Sequence, residues 1–374
     1  MTSRGWAQLA VAMLFMLAAA VRANAQVATA ERIQQARWWP TSPNVSRSDV
    51  VGPAECASCH RANVASQQTT SMAQTASRAD DAAVLRRHQR LAFRSGAVSY
   101  SIERTEQSTN FTVNDGSQTL TAPLAWAFGR GNVGQSYLFE RDGRFHEARV
   151  SYYDSIDGLD FTPNRSMTEP PPTIQDAMGR PIAEAEARRC FGCHTTASTT
   201  TAGFEASRSI PGVTCEACHG PGRAHVSTME RGGERTRAAG TIFNPRTLDA
   251  ADSVDLCGAC HATFWDVQLA GERGIAALRS QPFRLQSSRC WTGDRRLACV
   301  SCHDPHAPLV REASFYDSRC LTCHERSASS VSSSIVKVCS VATERCVSCH
   351  MPKYEVAEMH YSFTDHLIRK PAAR

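Results

Sequence analysis

The chain has 374 residues, enough for two or three domains, and its 42% hydrophobic content excludes a largely disordered protein. A formal charge of +5 is too mild to indicate nucleic acid as a partner. Sixteen cysteines are far more than an ordinary exported or cytosolic domain of this size needs, so their spacing is the first thing to read.

In chain order, residues 1–25 read as a cleaved signal peptide. Arg4 supplies a positive start, Leu9 to Val21 an apolar run too short to span a bilayer comfortably, and Ala23-Asn24-Ala25 a small-residue cleavage site before Gln26. That predicts a periplasmic or otherwise exported protein. Residues 26–80 read as an extended lead-in, with Pro40 and Pro43, followed by a first Cys-x-x-Cys-His site. Residues 81–172 read as a β-rich module: Val98, Tyr100 and Ile102 alternate with polar residues, as do Phe111 and Val113. Asn114-Asp115-Gly116 and Asp142-Gly143 are turn signals, and a strand through Tyr152 follows the second. Pro163 and Pro170-Pro171-Pro172 close the module, and residues 173–374 carry six further sites with polar loops at Thr195 to Thr201 and Ser327 to Ser334.

The seven sites are Cys56/Cys59/His60, Cys190/Cys193/His194, Cys215/Cys218/His219, Cys257/Cys260/His261, Cys299/Cys302/His303, Cys320/Cys323/His324 and Cys346/Cys349/His350. Random placement of these residue types would give about 0.02 such motifs. Zinc would require two Cys pairs per site and leaves the adjacent His unexplained. Cys-x-x-Cys-His is the signature of c-type haem attachment: two thiols form thioethers to the vinyl groups, and the His becomes the proximal iron ligand. Seven covalent haems, each with its iron, are therefore expected. Only Lys337, Lys353 and Lys370 are lysines; the arginine excess suits haem propionates, although codon bias in a GC-rich genome gives the same skew. Cys290 and Cys339 are left over and are expected to form a disulfide, with two free thiols as the alternative.

Six further histidines almost match seven irons: His88, His146, His225, His306, His360 and His366. They are the expected distal ligands, making most haems bis-His. His306 lies three residues after His303, too near to reach the far face of its own iron, so as a ligand it serves another haem; the same argument applies with less force to His225, six residues after His219 across Gly220-Pro221-Gly222. His360 and His366 can reach back from the C-terminal segment. His88 follows Asp80-Asp81, a possible helix start, and shares a helical face with Val84, Leu85 and Leu91; packed core is the alternative. His146 alternates with Ala148 and Val150 on a predicted strand, where a core histidine is an equal reading. Met72, on a predicted helix after His60, is the first candidate for the seventh distal position, and an open iron face is the remaining option.

The run Gly212-Val-Thr-Cys-Glu-Ala-Cys-His-Gly-Pro-Gly-Arg-Ala-His225 resembles a haem segment of cytochrome c-554-like multihaem cytochromes, and Cys299-Val-Ser-Cys-His-Asp-Pro-His306 is similar to the same group. Cys346-Val-Ser-Cys-His-Met-Pro-Lys353 and Phe363-Thr-Asp-His366 also look like it, so the resemblance covers about Arg189 to Arg369 and the first site. It implies distal roles for His225 and His306. The chain departs from that type in having more haem sites and the β-rich insertion, and all seven sites end in His rather than the Lys of multihaem nitrite reductases. The expected fold is mainly α-helical and irregular, short helices and loops around haems, with a small β-rich module inserted between the first and second haem sites. The expected function is electron transfer with redox partner proteins, such as a membrane-associated quinol oxidase or other cytochromes. The alternative is an oxidoreductase with one open-faced haem acting on small nitrogen or sulfur compounds.

Overall fold

The computed structural model describes residues 28–30, 45–163, 171–234, 240–271, 274–293, 297–324, 339 and 341–371. The expected signal peptide, the Pro40 and Pro43 lead-in, Pro170 and the Ser327 to Ser334 loop lie outside the described residues. Among the described residues no helix is long and apolar enough to cross a membrane.

The expectation of a mainly α and irregular fold with a small β module is overturned. Ten strands form one antiparallel sheet: β1 (Ala76–Arg78), β2 (Arg90–Ser95), β3 (Val98–Arg104), β4 (Thr109–Asn114), β5 (Thr119–Phe128), β6 (Gly134–Arg141), β7 (Arg144–Ala148), β8 (Val150–Tyr153), β9 (Gly158–Phe161) and β10 (Gly179–Pro181). The path runs β10-β7-β6-β5-β4-β3-β2, with β1 on β5 and β8 between β6 and β9. The long strands change partners along their length. The first half of β5 pairs with β4 and its last three residues with β1; the start of β6 pairs with β8 and its end with β7. This splitting curls the sheet into a half-barrel, so that Phe93 on β2 meets Phe161 on β9 edge-on at 5.2 Å.

Alternation explains the inner face. Tyr100, Ile102, Phe111, Val113, Tyr137, Phe139, Val150 and Tyr152 are all buried together, while Ser99 and Ser101 point out. Asp142 and Gly143, both at positive φ, make the tight turn from β6 to β7 that a right-twisted hairpin requires. The expected continuous strand from there through Tyr152 is divided at Arg149 into β7 and β8. The helical reading around His88 holds only for Ala83–Arg87; His88 caps that helix and Leu91 already lies on β2. The outer face is also covered where it matters for the sites. Trp126 on β5 and Leu138 on β6 form a second core with Ile182, Ala187 and Phe191, and Phe191 lies inside the Cys190 to His194 motif. The sheet is thus the platform on which the second attachment site rests.

Past the sheet the chain is short helices and turns, with two-stranded ladders at 195–196 with 210–211, 199–200 with 203–204 and 353–356 with 361–364.

Candidate haem centres

Each motif sits on tightly wound backbone. Five end a helix on the histidine itself: Glu184–His194, Cys215–His219, Ala250–His261, Asp317–His324 and Cys346–His350. The first lies inside Pro53–Gln67, which kinks at His60, and the fifth overlaps the 3-10 turn Cys299–Ser301. Helical winding brings residues three apart close together on neighbouring turns, so both thiols of a motif lie near the His that follows them.

Three proximal imidazoles face a second imidazole. His60 and His225 have ring centres 6.5 Å apart and planes 24° apart; His219 and His306 are at 6.0 Å and 12°, and His303 and His366 at 6.2 Å and 42°. A metal–imidazole bond is about 2.0–2.1 Å and the ring centre lies about 1 Å behind the nitrogen, so two imidazoles on opposite sides of one metal have centres about 6 Å apart. The observed spacings match that span and are too wide for direct stacking, so these residues fit bis-His haem. All three pairs join distant parts of the chain. His225, just after the third motif, meets the first site's histidine; His306, just after the fifth, meets the third's; His366 meets the fifth's.

The second ring nitrogens are also arranged. Nδ1 of His219 lies 3.0 Å from the Phe243 carbonyl, Nδ1 of His194 3.2 Å from the Thr75 carbonyl, Nδ1 of His350 2.8 Å from the Arg369 carbonyl, and Nδ1 of His366 3.1 Å from the Thr364 carbonyl. A carbonyl only accepts, so these contacts place the proton on Nδ1 and leave Nε2 for iron. Burial lowers the pKa of His194, His219, His261 and His303, and burial followed by the charge of His303 takes His366 down to about 4. All favour the neutral imidazole that binds metal.

Other expected ligands are placed differently. His88 sits 3.2 Å from Asp157 and against Tyr152, and His360 has its Nε2 2.9 Å from Asp160 and its ring on Tyr153. His146 stacks on Phe139 at 5.2 Å. Met72 is in a turn beyond the end of the first helix rather than on one, and its carbonyl accepts from Thr75 and Val213. Around His261 lie the Gln281 amide and the Arg279 charge. Cys290 and Cys339 are free thiols rather than the expected disulfide, and Cys290 feels the sixth site's Cys323 instead.

Thiols of different motifs approach one another, and these approaches order the sites in space. Cys56 lies beside Cys215, Cys193 beside Cys260, Cys257 beside Cys299 and Cys320 beside Cys346. Cys218 interacts with Cys257, and Cys302 with Cys320. The sites therefore run first, third, fourth, fifth, sixth, seventh, with the second branching beside the fourth.

Not every expected attachment thiol is folded inward. The second cysteines of four motifs, Cys59, Cys260, Cys323 and Cys349, are exposed rather than covered by the chain. For Cys59 and Cys349 the place of their sites in the run accounts for the exposure. They belong to its two end sites, the first and the seventh. There the first thiol, Cys56 or Cys346, turns to the neighbouring site at Cys215 or Cys320. The second is left on the outer side, where residues 58–63 of one helix and residues 348 and 349 of the other all face solvent. The Ser58 hydroxyl, 3.7 Å from Cys59 Sγ, is the neighbour it finds there.

Carboxyl groups tie the sites together, a signal that reading the motifs alone misses. Asp317 accepts from the Arg345 amide at 2.7 Å and the Cys346 amide at 2.9 Å, linking the sixth site to the seventh. Fully buried Asp365, next to His366, takes a two-pronged contact from Arg284 at 2.8 and 2.7 Å. Burial pushes the Asp365 carboxyl up, but Arg284, the Leu367 amide and Arg369 outweigh it and hold it below its ordinary range.

Residues 165–220, which contain the second and third motifs, match the family described as Cytochrome c554 and c-prime. No curated protein matches the chain. Among solved structures, the outer cell wall cytochrome OcwA is similar, with a TM-score of 0.50 at 13% identity over 86% of this chain and 80% of that one. At that identity the likeness is one of fold. The matched segment and the shared fold both lie with c-type cytochromes.

Proposed function

We propose that this chain transfers electrons along seven covalently attached c-type haems, mostly bis-His ligated, in an exported and most simply periplasmic protein. The observation that carries this reading is the set of three imidazole pairs at 6.0–6.5 Å. A bound haem supplies a one-electron couple at its iron. The chain's own residues do the rest. Cysteine pairs fix each macrocycle, imidazoles supply both axial nitrogens, and backbone carbonyls hold the Nδ1 protons so that the rings keep their orientation. The continuous order of the attachment sites supports hopping between neighbours without bond-making. Donor and acceptor are redox partner proteins, such as a membrane-associated quinol oxidase or other cytochromes.

The test is haem content of the purified, denatured chain by mass, joined with low-temperature EPR of the fully oxidised protein. Seven thioether-bound haems with low-spin signals from at least three bis-His centres are expected. A chain without covalent haem would sink the reading.

A second reading, an oxidoreductase acting on small nitrogen or sulfur compounds, is favoured by one observation: the arginine and amide beside His261 could hold an oxyanion near iron. It requires a high-spin haem whose EPR signal changes when nitrite or hydroxylamine is added.

A further inference from the structure

Glu216 is the residue directly after the first cysteine in Cys215-Glu216-Ala217-Cys218-His219, where a solvent-facing side chain would serve haem attachment equally well. Instead it is 2% exposed. One carboxyl oxygen accepts from the Val51 amide at 2.9 Å and the Gly222 amide at 2.7 Å, and the other accepts from the Gly52 amide at 2.7 Å. Gly52 caps the helix Pro53–Gln67 that carries the first motif, and Gly222 caps the helix Arg223–Glu230 that carries His225. Neither cap has a side-chain hydrogen bond, and glycine has no side chain to give one. Glu216 instead accepts from the amides of the two cap residues themselves, and so holds both helix starts from a third segment. The packing is built for it: a Cβ on Gly222 would come within 2.8 Å of Val51 Cγ2 and 3.2 Å of the Glu216 carboxyl.

We propose that Glu216 is a positioning residue that clamps the first haem site to the third and, through its buried charge, holds both at a lower reduction potential than the same sites would have without it. This rests on the electron-transfer reading above. The clamp follows from the geometry. One side chain fixes the start of the helix bearing His60 and the start of the helix bearing His225, the two rings that face each other at 6.5 Å. Its own backbone carries Cys215 and His219. The charge argument follows from the donors. Three amide N–H groups converge on the two carboxyl oxygens, an arrangement suited to a carboxylate, and the two helix starts beside it favour negative charge there. Its field reaches both sites, since it acts on the thiols of Cys56 and Cys215 alike. An oxidised haem carries one more positive charge than a reduced one, so a fixed negative charge nearby favours oxidation and lowers the potential.

The experiment is a spectroelectrochemical titration of the full haem-loaded chain with E216Q and E216D, alongside haem content by mass. E216Q keeps the shape and removes the charge. It is expected to move two of the seven couples upward by about tenfold in their redox equilibrium, which is about 59 mV for a one-electron couple. E216D keeps the charge and should hold those couples near the parent values. Two outcomes overturn the proposal: E216Q with full haem content and every couple unmoved, or E216Q with only a lower unfolding midpoint. A parent chain lacking haem at Cys56 and Cys215 would instead sink the reading beneath it, and the mass measurement tells these cases apart.

Discussion

The sheet and the haem-site segments solve the problem of burial in opposite ways. From Ala76 to Pro181 the chain builds its own core from large side chains, with Trp126, Tyr100, Tyr137, Tyr152, Phe111 and Phe139 all but inaccessible. Among the described residues from Cys215 onward, one buried apolar cluster consists of Val254, Leu285 and Ala298. There, order comes from polar ties between segments: Glu216, Asp317 and the Arg284–Asp365 pair. On the electron-transfer reading, the macrocycles would give the second region its missing core. A haem supplies apolar area that short helices cannot, and without it the conformational entropy of those segments has too little to oppose it.

The sharpest way to break this comparison is to produce the full chain under conditions where haem is not attached. Hydrogen exchange should then show protection retained from Tyr100 through Tyr153 and lost across Cys215 to His366. Protection surviving in the second stretch would mean that its polar ties suffice, and the contrast would fail.

The next largest effect lies at the seam. Trp126 is fully buried, stands edge-on to Phe191 at 4.9 Å, and carries the Arg78 guanidinium over its ring at 4.1 Å. Trp126→Ala should cost about 3–5 kcal/mol in denaturant unfolding and also disturb the second haem's absorption, because Phe191 belongs to that motif. Phe111→Ala, inside the half-barrel, should cost a similar amount and leave the haem spectrum as it was. Identical spectra in both variants would separate the sheet from the second site.

How much of this was readable in the sequence follows the range of the interactions. The motifs are local, and so is the argument that His306 is tethered too tightly to reach behind its own iron. Which iron it faces is set by contacts across the fold, as with His60 and His225, and no spacing encodes that. The same holds for the thiols: spacing pairs Cys56 with Cys59, but only the fold turns one toward Cys215 and leaves the other at the surface. The size of the sheet was hidden for a related reason. β1 and β10 are three residues each and exist only through their partners. In β5, Trp126 and Ala127 are buried on opposite faces, which erases the alternation that marks a strand, and Pro123 argues against one. Glu216 and Asp365 look like ordinary surface acids until their amide and guanidinium partners are seen.

Asp365→Asn sharpens the comparison on the haem side. It leaves Arg284 facing a neutral amide in a site where the carboxyl was fully buried. The expected loss is about 3 kcal/mol, toward the low end of the usual range because Arg284 keeps some contact with water. The neighbouring His366 should shift with it, seen as a change in the low-spin EPR signal of the fifth haem. A stability loss with an unchanged signal would show that the ion pair holds the chain but does not set the ligand.

The smallest effect on stability should accompany one of the clearest effects on the metal. His306 is half-exposed at 42% and touches little beyond His219 across the 6.0 Å gap and Asp304 beside it. Removing such a side chain usually costs less than about 0.5 kcal/mol, so His306→Ala should unfold at nearly the parent denaturant concentration with the sheet untouched. At the third site, however, one axial nitrogen is gone, and a low-spin signal should give way to a high-spin one in the oxidised protein. In the sheet, losing a side chain is felt as lost packing. Here the same kind of loss should pass almost unnoticed by the fold and be registered by a single iron. If every haem stays low-spin in this variant, His306 is not the ligand its position opposite His219 implies, and the third site's far face is served by another residue.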